Sequence, residues 1–186
     1  MDEKIKRRVS KQMMYVAIIS MIMMFAGLTS AYIISMKRED WVSFELPQAL
    51  YISTILILLS SISFIIAKKS IKKDNKPLTT LFLLLTLILG CSFVYFQIEG
   101  YNQLREAGLF FTGKGSLVSS SLLVVISFAH LVHALAGIIV LLVILFNHLK
   151  NKYNSSNTLG IEVGGIFWHF VDILWIALFL FFYFIR

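Results

Sequence analysis

The 186-residue chain is 58% hydrophobic and only 15% charged, against about 45–50% and about 25% in soluble domains. Its mean hydropathy of +0.82 excludes an ordinary soluble domain and predicts an all-α membrane protein. The net charge of +7 lies in short clusters between apolar runs, which indicates a topology signal and argues against nucleic-acid binding. The single cysteine, Cys91, excludes an intrachain disulfide, and we expect it to be buried as a small apolar residue.

Five apolar runs predict a bundle of five transmembrane helices, at about residues 13–36, 48–67, 77–98, 116–147 and 160–185. The basic segment before the first run resembles a signal peptide. That run is too long and lacks a small-residue cleavage site, so we interpret it as a retained span. Trp41, in the loop after the first span, is predicted to lie at the membrane interface. Gln97 and Glu99, at the end of the third span, are predicted to lie there too.

The Lys and Arg residues are distributed unevenly between the two sides that these spans define. Twelve lie on the side of the N-terminus: Lys4, Lys6, Arg7, Arg8, Lys11, Lys68, Lys69, Lys72, Lys73, Lys76, Lys150 and Lys152. Five lie on the other side: Lys37, Arg38, Arg105, Lys114 and Arg186. Because Lys and Arg concentrate in cytoplasmic segments, we predict a cytoplasmic N-terminus and a periplasmic C-terminus. We find no internal repeat, which disfavours an inverted-repeat transporter.

The fifth span carries Glu162, His169 and Asp172, groups that hydrocarbon disfavours. On a helix these three residues and Gly165 fall within an arc of roughly 80°. This arrangement predicts a polar seam that is turned towards protein. Trp168 and Trp175 lie seven residues apart on the same span, and we interpret them as packing groups for a neighbouring protein rather than as a cofactor site. Together with Gly137 and Gly165 they are predicted to be helix-packing residues.

The fourth span carries a stripe of two histidines and small residues, with His130, His133 and Gly137 on one face. Three interpretations stay open: metal or haem ligation, a proton relay, and a polar network that fixes how two helices pack. The packing network is favoured, because a metal site usually needs three or four ligands and the chain holds only four histidines.

The fourth and fifth spans are joined by a short loop and are predicted to be antiparallel neighbours. His133 lies roughly 21 Å inside its span and Asp172 roughly 18 Å inside its own, measured from the same side. An imidazole beside a carboxylate satisfies both groups. We therefore expect His130 or His133 to contact Asp172, His169 or Glu162, so that these five residues form an interhelical polar network.

The same residues also form recognisable sequence motifs. Glu162 is followed by the run Trp168-His169-Phe170-Val171-Asp172 and then by Trp175. This spacing resembles the last helix of the cytochrome c oxidase subunit III family of the haem-copper oxidases. The pattern His130-x-x-His133-x-x-x-Gly137 is similar to the preceding helix of that family. Weaker agreement comes from Pro47 to Thr54, Leu58 to Ser61, Phe25-Ala26-Gly27 and Gln97-x-Glu99.

The resemblance implies a single transmembrane domain over residues 1–186, in the short five-helix form, in a bacterial inner membrane. It implies a non-catalytic subunit of a proton-pumping terminal oxidase of the aerobic respiratory chain, with no catalytic or metal-binding residue of its own. Haem and copper would belong to partner subunits. Subunit I would be the main contact, on which this chain would support proton uptake and the durability of the complex. Bound phospholipid, other oxidase subunits and a respiratory supercomplex are further partners that the resemblance implies.

Two departures from the family pattern matter. The longer members have two more helices than this chain has room for, and Met21 stands where the family often has a glutamate. No role of that glutamate can be carried over. Within the family, a quinol oxidase subunit and a nitric oxide reductase accessory protein are alternatives to a cytochrome c oxidase subunit. The alternative from a different class is an independent small transporter or channel that conducts through the His, Glu and Asp seam.

Overall fold

The computed structural model describes residues 3–111, 113, 116–154 and 157–185. Lys114 and Arg186, which we counted on the outer side, lie outside the described residues. The described part is helical and contains five helices: α1 (Glu3–Ser35), α2 (Gln48–Lys72), α3 (Lys76–Glu106), α4 (Val118–Leu149) and α5 (Leu159–Phe184). Each is long and apolar enough to cross a membrane. The predicted all-α class and the five spans are therefore confirmed.

Three helices are longer than their predicted spans. α1 begins at Glu3 rather than near Met13, α2 continues to Lys72, and α3 continues to Glu106. Hydropathy marks only the part of a helix that crosses hydrocarbon. Lys, Arg and Glu are good helix formers, so the backbone stays helical beyond the apolar run.

The turn between α2 and α3 is fixed by local hydrogen bonds. Asn75 caps α3 by accepting a hydrogen bond from the Leu78 backbone N–H at 3.2 Å. Lys76 Nζ donates to Asn151 Oδ1 at 2.8 Å, which joins this turn to the loop between α4 and α5. Two of the basic segments therefore lie together at one end of the bundle.

Four helices form the body of the bundle, with contacts between α2 and α3, α3 and α4, α4 and α5, and α5 and α2. α1 packs on the outside of this group, against α4 and α5. It buries Phe25 and Tyr32 there, whereas a Cβ added at Gly27 would meet nothing within 4 Å. Cys91 is exposed on α3, so the prediction that it is buried is wrong: its side chain lies on an outward face of the helix.

Candidate functional site

Trp168 lies where four helices meet, in what we term the Trp168 slot, formed by Gly90, Gly137 and Ser60. The indole Nε1 donates a hydrogen bond to Ser60 Oγ on α2 at 3.1 Å. Ser60 Oγ donates in turn to the Thr86 carbonyl of α3 at 3.4 Å. A Cβ added at Gly137 would lie 2.9 Å from Trp168 Cε3, and one added at Gly90 would lie 2.9 Å from Cη2. The indole fills its slot because the two helices beside it have no side chain there.

Trp175 repeats this arrangement two turns further along α5. Its Nε1 donates to Thr54 Oγ1 on α2 at 3.0 Å, and its ring lies edge-on to Phe93 with centroids 5.4 Å apart. Both tryptophans are buried inside this chain. They therefore pack against α2, α3 and α4 of this chain rather than against a neighbouring protein, because small and hydroxyl residues of these helices make room for them.

His130 is fully buried in an aromatic environment. Its ring lies 5.1 Å from Trp175, 5.8 Å from Phe93 and 6.5 Å from Phe25, between centroids. Neither ring nitrogen has a hydrogen-bond partner among the described residues. His133 bonds instead within its own helix, with Nδ1 at 2.7 Å from the Ala129 carbonyl oxygen. In the described part of the chain, no hydrogen bond or ion pair joins either histidine to an acidic residue or a histidine of α5.

The expected pairing of α4 histidines with Asp172, His169 or Glu162 is therefore wrong, and the orientation of α5 explains why. Gly164 of α5 faces α4, where an added Cβ would meet Ile144 and Val140. Gly165 faces α2, where an added Cβ would lie 2.6 Å from Phe64 Cε1. His169 and Asp172, one and two turns beyond Gly165, share its face and are therefore turned towards α2 instead of α4.

His169 and Asp172 meet α2 at Ser61. His169 Nδ1 lies 2.7 Å from Ser61 Oγ and 3.9 Å from Asp172 Oδ2. The Asp172 side chain is 1% exposed, and neither carboxyl oxygen forms a hydrogen bond within the described part of the chain. Ser, His and Asp do not form a nucleophilic triad here, because the same ring nitrogen faces both the hydroxyl and the carboxyl.

Glu162 lies in a separate ionic cluster with the N-terminal part of α1. Its carboxylate is 2.6 Å from Lys11 Nζ and 3.6 Å from Arg7 Nη1, and it accepts a hydrogen bond from Thr158 Oγ1 at 2.8 Å. This cluster joins the start of α1 to the start of α5. The sequence interpretation missed it, because the basic residues were used only as a topology signal.

The three residues predicted to lie at the interface have different surroundings. Gln97 is fully buried and donates from Nε2 to Ser53 Oγ on α2 at 3.0 Å, so its side chain faces α2 and does not reach the headgroups as predicted. Glu99 is half-buried and accepts from Asn102 Nδ2 at 3.5 Å. Trp41 is half-buried and lies edge-on to Tyr32, with centroids 4.9 Å apart.

The loop after α1 contains a bidentate ion pair. Arg38 donates from Nε to Asp40 Oδ1 at 2.8 Å and from Nη2 to Oδ2 at 2.9 Å. These hydrogen bonds, helped by the guanidinium charge, hold the pKa of the Asp40 carboxyl below its usual value. Both side chains are exposed, so the pair orders the loop only weakly.

Metal ligation finds no support in the side-chain arrangement. Within the described residues, no three His, Cys, Asp or Glu side chains are grouped so that they could hold a metal ion. His148, the remaining histidine, lies with Nε2 at 3.1 Å from Thr80 Oγ1. Several polar groups of the spans, such as Gln97 and the two indoles, instead make contacts between helices.

Comparison with known proteins identifies the family. The family model for cytochrome c oxidase subunit III matches residues 7–186. The cytochrome c oxidase subunit 3 of Corynebacterium diphtheriae is 31% identical over 173 residues, which cover 89% of this chain and 82% of that protein. The one from Alkalihalophilus pseudofirmus is 28% identical over 156 residues, covering 83% and 73%. The one from Petromyzon marinus is 33% identical over 137 residues and covers 74% of this chain.

The chain spans about half the length of the Petromyzon marinus protein, 49%, and of several other relatives. The family match nevertheless extends over both the α4 and the α5 motifs from which the resemblance was inferred. The resemblance is thus confirmed. This membrane protein belongs to the cytochrome c oxidase subunit III family, whose members are subunits of a multi-subunit respiratory oxidase.

Proposed function

We propose that this chain is a non-catalytic subunit of a proton-pumping haem-copper terminal oxidase of the cytochrome c oxidase type, in a bacterial inner membrane. The family match over residues 7–186 carries the proposal. In this proposal the haem and copper belong to the partner subunits, and oxygen is reduced there. The chain packs on subunit I and supports proton uptake and the durability of the complex.

The interior of the bundle supports a role as a rigid scaffold. Trp168 and Trp175 each link α5 to α2 through a hydrogen bond to a hydroxyl group. Within hydrocarbon such bonds and close small-residue contacts hold helices together, because hydrophobic burial contributes little there. A bundle fixed in this way presents constant outward faces to partner subunits and to bound phospholipid.

The proposed topology places the N-terminus in the cytoplasm. The hydrogen bond between Lys76 and Asn151 supports it by joining two basic segments at one end. The ion pair between Lys11 and Glu162 supports it as well, because it brings the basic N-terminal segment to the start of α5. Basic residues on one side agree with the positive-inside rule.

The contacts disfavour an independent transporter or channel. A conduction path through the seam needs its polar groups to follow one another, yet they lie in three different environments. Glu162 bonds α1, His169 bonds α2, and His130 lies among aromatic rings. These groups therefore do not form a continuous polar path, and their contacts agree better with a structural role.

Purification in mild detergent tests the proposed function. We expect the tagged full chain to co-purify with a haem-bearing partner, seen as a haem absorption spectrum that follows the complex on size exclusion. Oxidation of reduced cytochrome c by that complex supports the cytochrome c oxidase type. Oxidation of a quinol only, or reduction of nitric oxide, would assign one of the related types. A chain that purifies without haem and transports ions in liposomes would refute the proposal.

A further inference from the structure

The outward surface between α2 and α5 carries polar groups in the middle of the bundle. We term it the His169 face and define it by Ser61, Ile65 and Lys68 of α2 with His169 and Ile173 of α5. These residues follow one another at helical spacings of three and four on each helix, so each set shares one side of its helix. The His169 side chain is 26% exposed, and Ile65 and Ile173 are exposed beside it.

An unpaired carboxyl lies directly behind this surface. Asp172 Oδ2 is 3.9 Å from His169 Nδ1, and both Asp172 carboxyl oxygens are buried without a hydrogen bond. A buried polar group without a partner is costly, and the cost rises in hydrocarbon. Asp172 itself is 1% exposed, so only His169 of this pair is open to a neighbour. Acyl chains offer no hydrogen-bond donor to that imidazole, so this part of the surface fits contact with protein better than contact with acyl chains.

Three other outward polar groups of the spans are satisfied by their own helix. Ser20 donates to the Val16 carbonyl at 3.2 Å, and Ser92 donates to the Ile88 carbonyl at 2.9 Å. His133, the other half-buried histidine, bonds the carbonyl of Ala129. Among these positions, the His169 face is the one that combines a part-exposed imidazole with an unpaired buried carboxyl.

We propose that the His169 face docks a transmembrane helix of a partner subunit, through a side chain that donates a hydrogen bond to His169 and lies within electrostatic range of Asp172. When His169 Nδ1 donates to Ser61 Oγ, Nε2 is left as the acceptor for such a donor. The inference rests on the proposed function and adds to it which side of the bundle meets the partner.

Site-specific photo-crosslinking in the assembled complex tests this inference. A benzophenone amino acid is placed at Ile65 or Ile173, one turn from Ser61 and His169 on the same face. Matched control positions are Leu81 and Ile88 on α3, which are 60% and 61% exposed and comparable with Ile173 at 65%. All four positions point outward, so the variants should fold alike. The full chain is produced with its partner subunits, and adducts are identified by mass spectrometry.

The inference predicts adducts with a transmembrane helix of a partner subunit from Ile65 and Ile173, with a yield several-fold above that from Leu81 and Ile88. Adducts only with lipid at the first two positions, in a complex that retains its haem, would overturn the inference and leave the proposed function standing. Partner adducts only from α3 would overturn it in the same way. A chain that carries no haem-bearing partner at all would overturn both.

A second measurement uses a substitution that preserves shape. Asp172→Asn replaces the carboxyl group by an amide of the same size, and Ser92→Ala on α3 is the matched control. The inference predicts that the Asn variant dissociates from the complex several-fold faster than the Ala variant while the isolated chain keeps its helical content. Equal dissociation of the two variants would contradict it.

Discussion

The Trp168 slot makes the strongest prediction about packing, with Gly137→Ala as the perturbation and Gly27→Ala as the control. The added Cβ at Gly137 would lie 2.9 Å from the Trp168 ring, whereas at Gly27 it meets nothing within 4 Å. Carbon atoms prefer about 3.5–4.0 Å, so the contact is short by about 0.6–1.1 Å. The indole cannot easily move away from the new methyl group. The α3 helix lies against another edge of the ring at Gly90, and Nε1 is hydrogen-bonded to Ser60.

The magnitude follows from comparing the two variants. Both glycines lie inside helices, so the gain in helix propensity is common to both and cancels in the difference. What remains is the cost of overpacking, about 1–3 kcal/mol. For a chain of this size that corresponds to a melting temperature about 2–12 °C lower for Gly137→Ala than for Gly27→Ala.

Thermal unfolding in detergent, followed by circular dichroism, measures this difference. A double-mutant cycle with Trp168→Phe adds an internal check, since a smaller ring leaves space for the new methyl group. The difference should shrink in the Trp168→Phe background. Equal melting of the two glycine variants, or an unchanged difference in that background, would refute the packing account.

The remaining predictions concern charged groups. Lys11→Gln removes a contact worth about 1 kcal/mol, so amide hydrogen exchange in the first turns of α1 should become about fivefold faster. The control Arg8→Gln, at an exposed position, should leave the exchange rate unchanged. Equal effects of the two substitutions would contradict the ion pair between Lys11 and α5. Asp172→Leu should reduce the amount of this chain in the purified oxidase while haem content stays constant; loss of haem would contradict a scaffold role. The Asp40 carboxyl should titrate below the usual range in an NMR pH series, because Arg38 stabilises its charged form. The loop contact should therefore be complete above the ordinary carboxyl pKa and be lost as the pH falls through the lowered value. Arg38→Gln should move that titration upward, and an unmoved titration would show that the pair does not form.

The number and class of the helices could be predicted from the sequence, because long apolar runs have few alternatives. Their ends could not be predicted as well. α1 continues through charged residues to Glu3, and α3 continues past Gln97 to Glu106. Hydropathy reports where hydrocarbon begins, whereas helix ends depend on caps and propensity. Gln97 was consequently placed at an interface although it is fully buried.

The polar face of α5 could be predicted, but its partner helix could not. Chain neighbours usually pack together, and α4 does contact α5. The polar groups nevertheless turn towards α2, at Ser61 and Thr54. A signal was present in the spacing: Thr54 and Ser60, the hydroxyl residues that the two tryptophans bond, are six residues apart, and Trp168 and Trp175 are seven apart, so two antiparallel helices could match them.

The ionic cluster around Glu162 shows the limit of assigning one role to a residue. Lys11 was counted as a topology signal, and it also bonds Glu162 at 2.6 Å. The two roles are compatible, because a basic residue near the start of a span can reach an acidic residue at the same end of the bundle. Residues as far apart in sequence as Lys11 and Glu162 leave no local sequence pattern from which their contact could be predicted.

The central claim is that this chain is a scaffold subunit without a redox centre. Selective removal of the chain from the purified oxidase, by stronger detergent, tests it most directly when haem content and oxygen consumption are followed together. We predict that all haem stays with the partner subunits, and that oxygen consumption starts at a comparable rate but decays faster during turnover. Haem that leaves with the chain, or oxygen consumption that is absent from the start while haem content is unchanged, would contradict the claim.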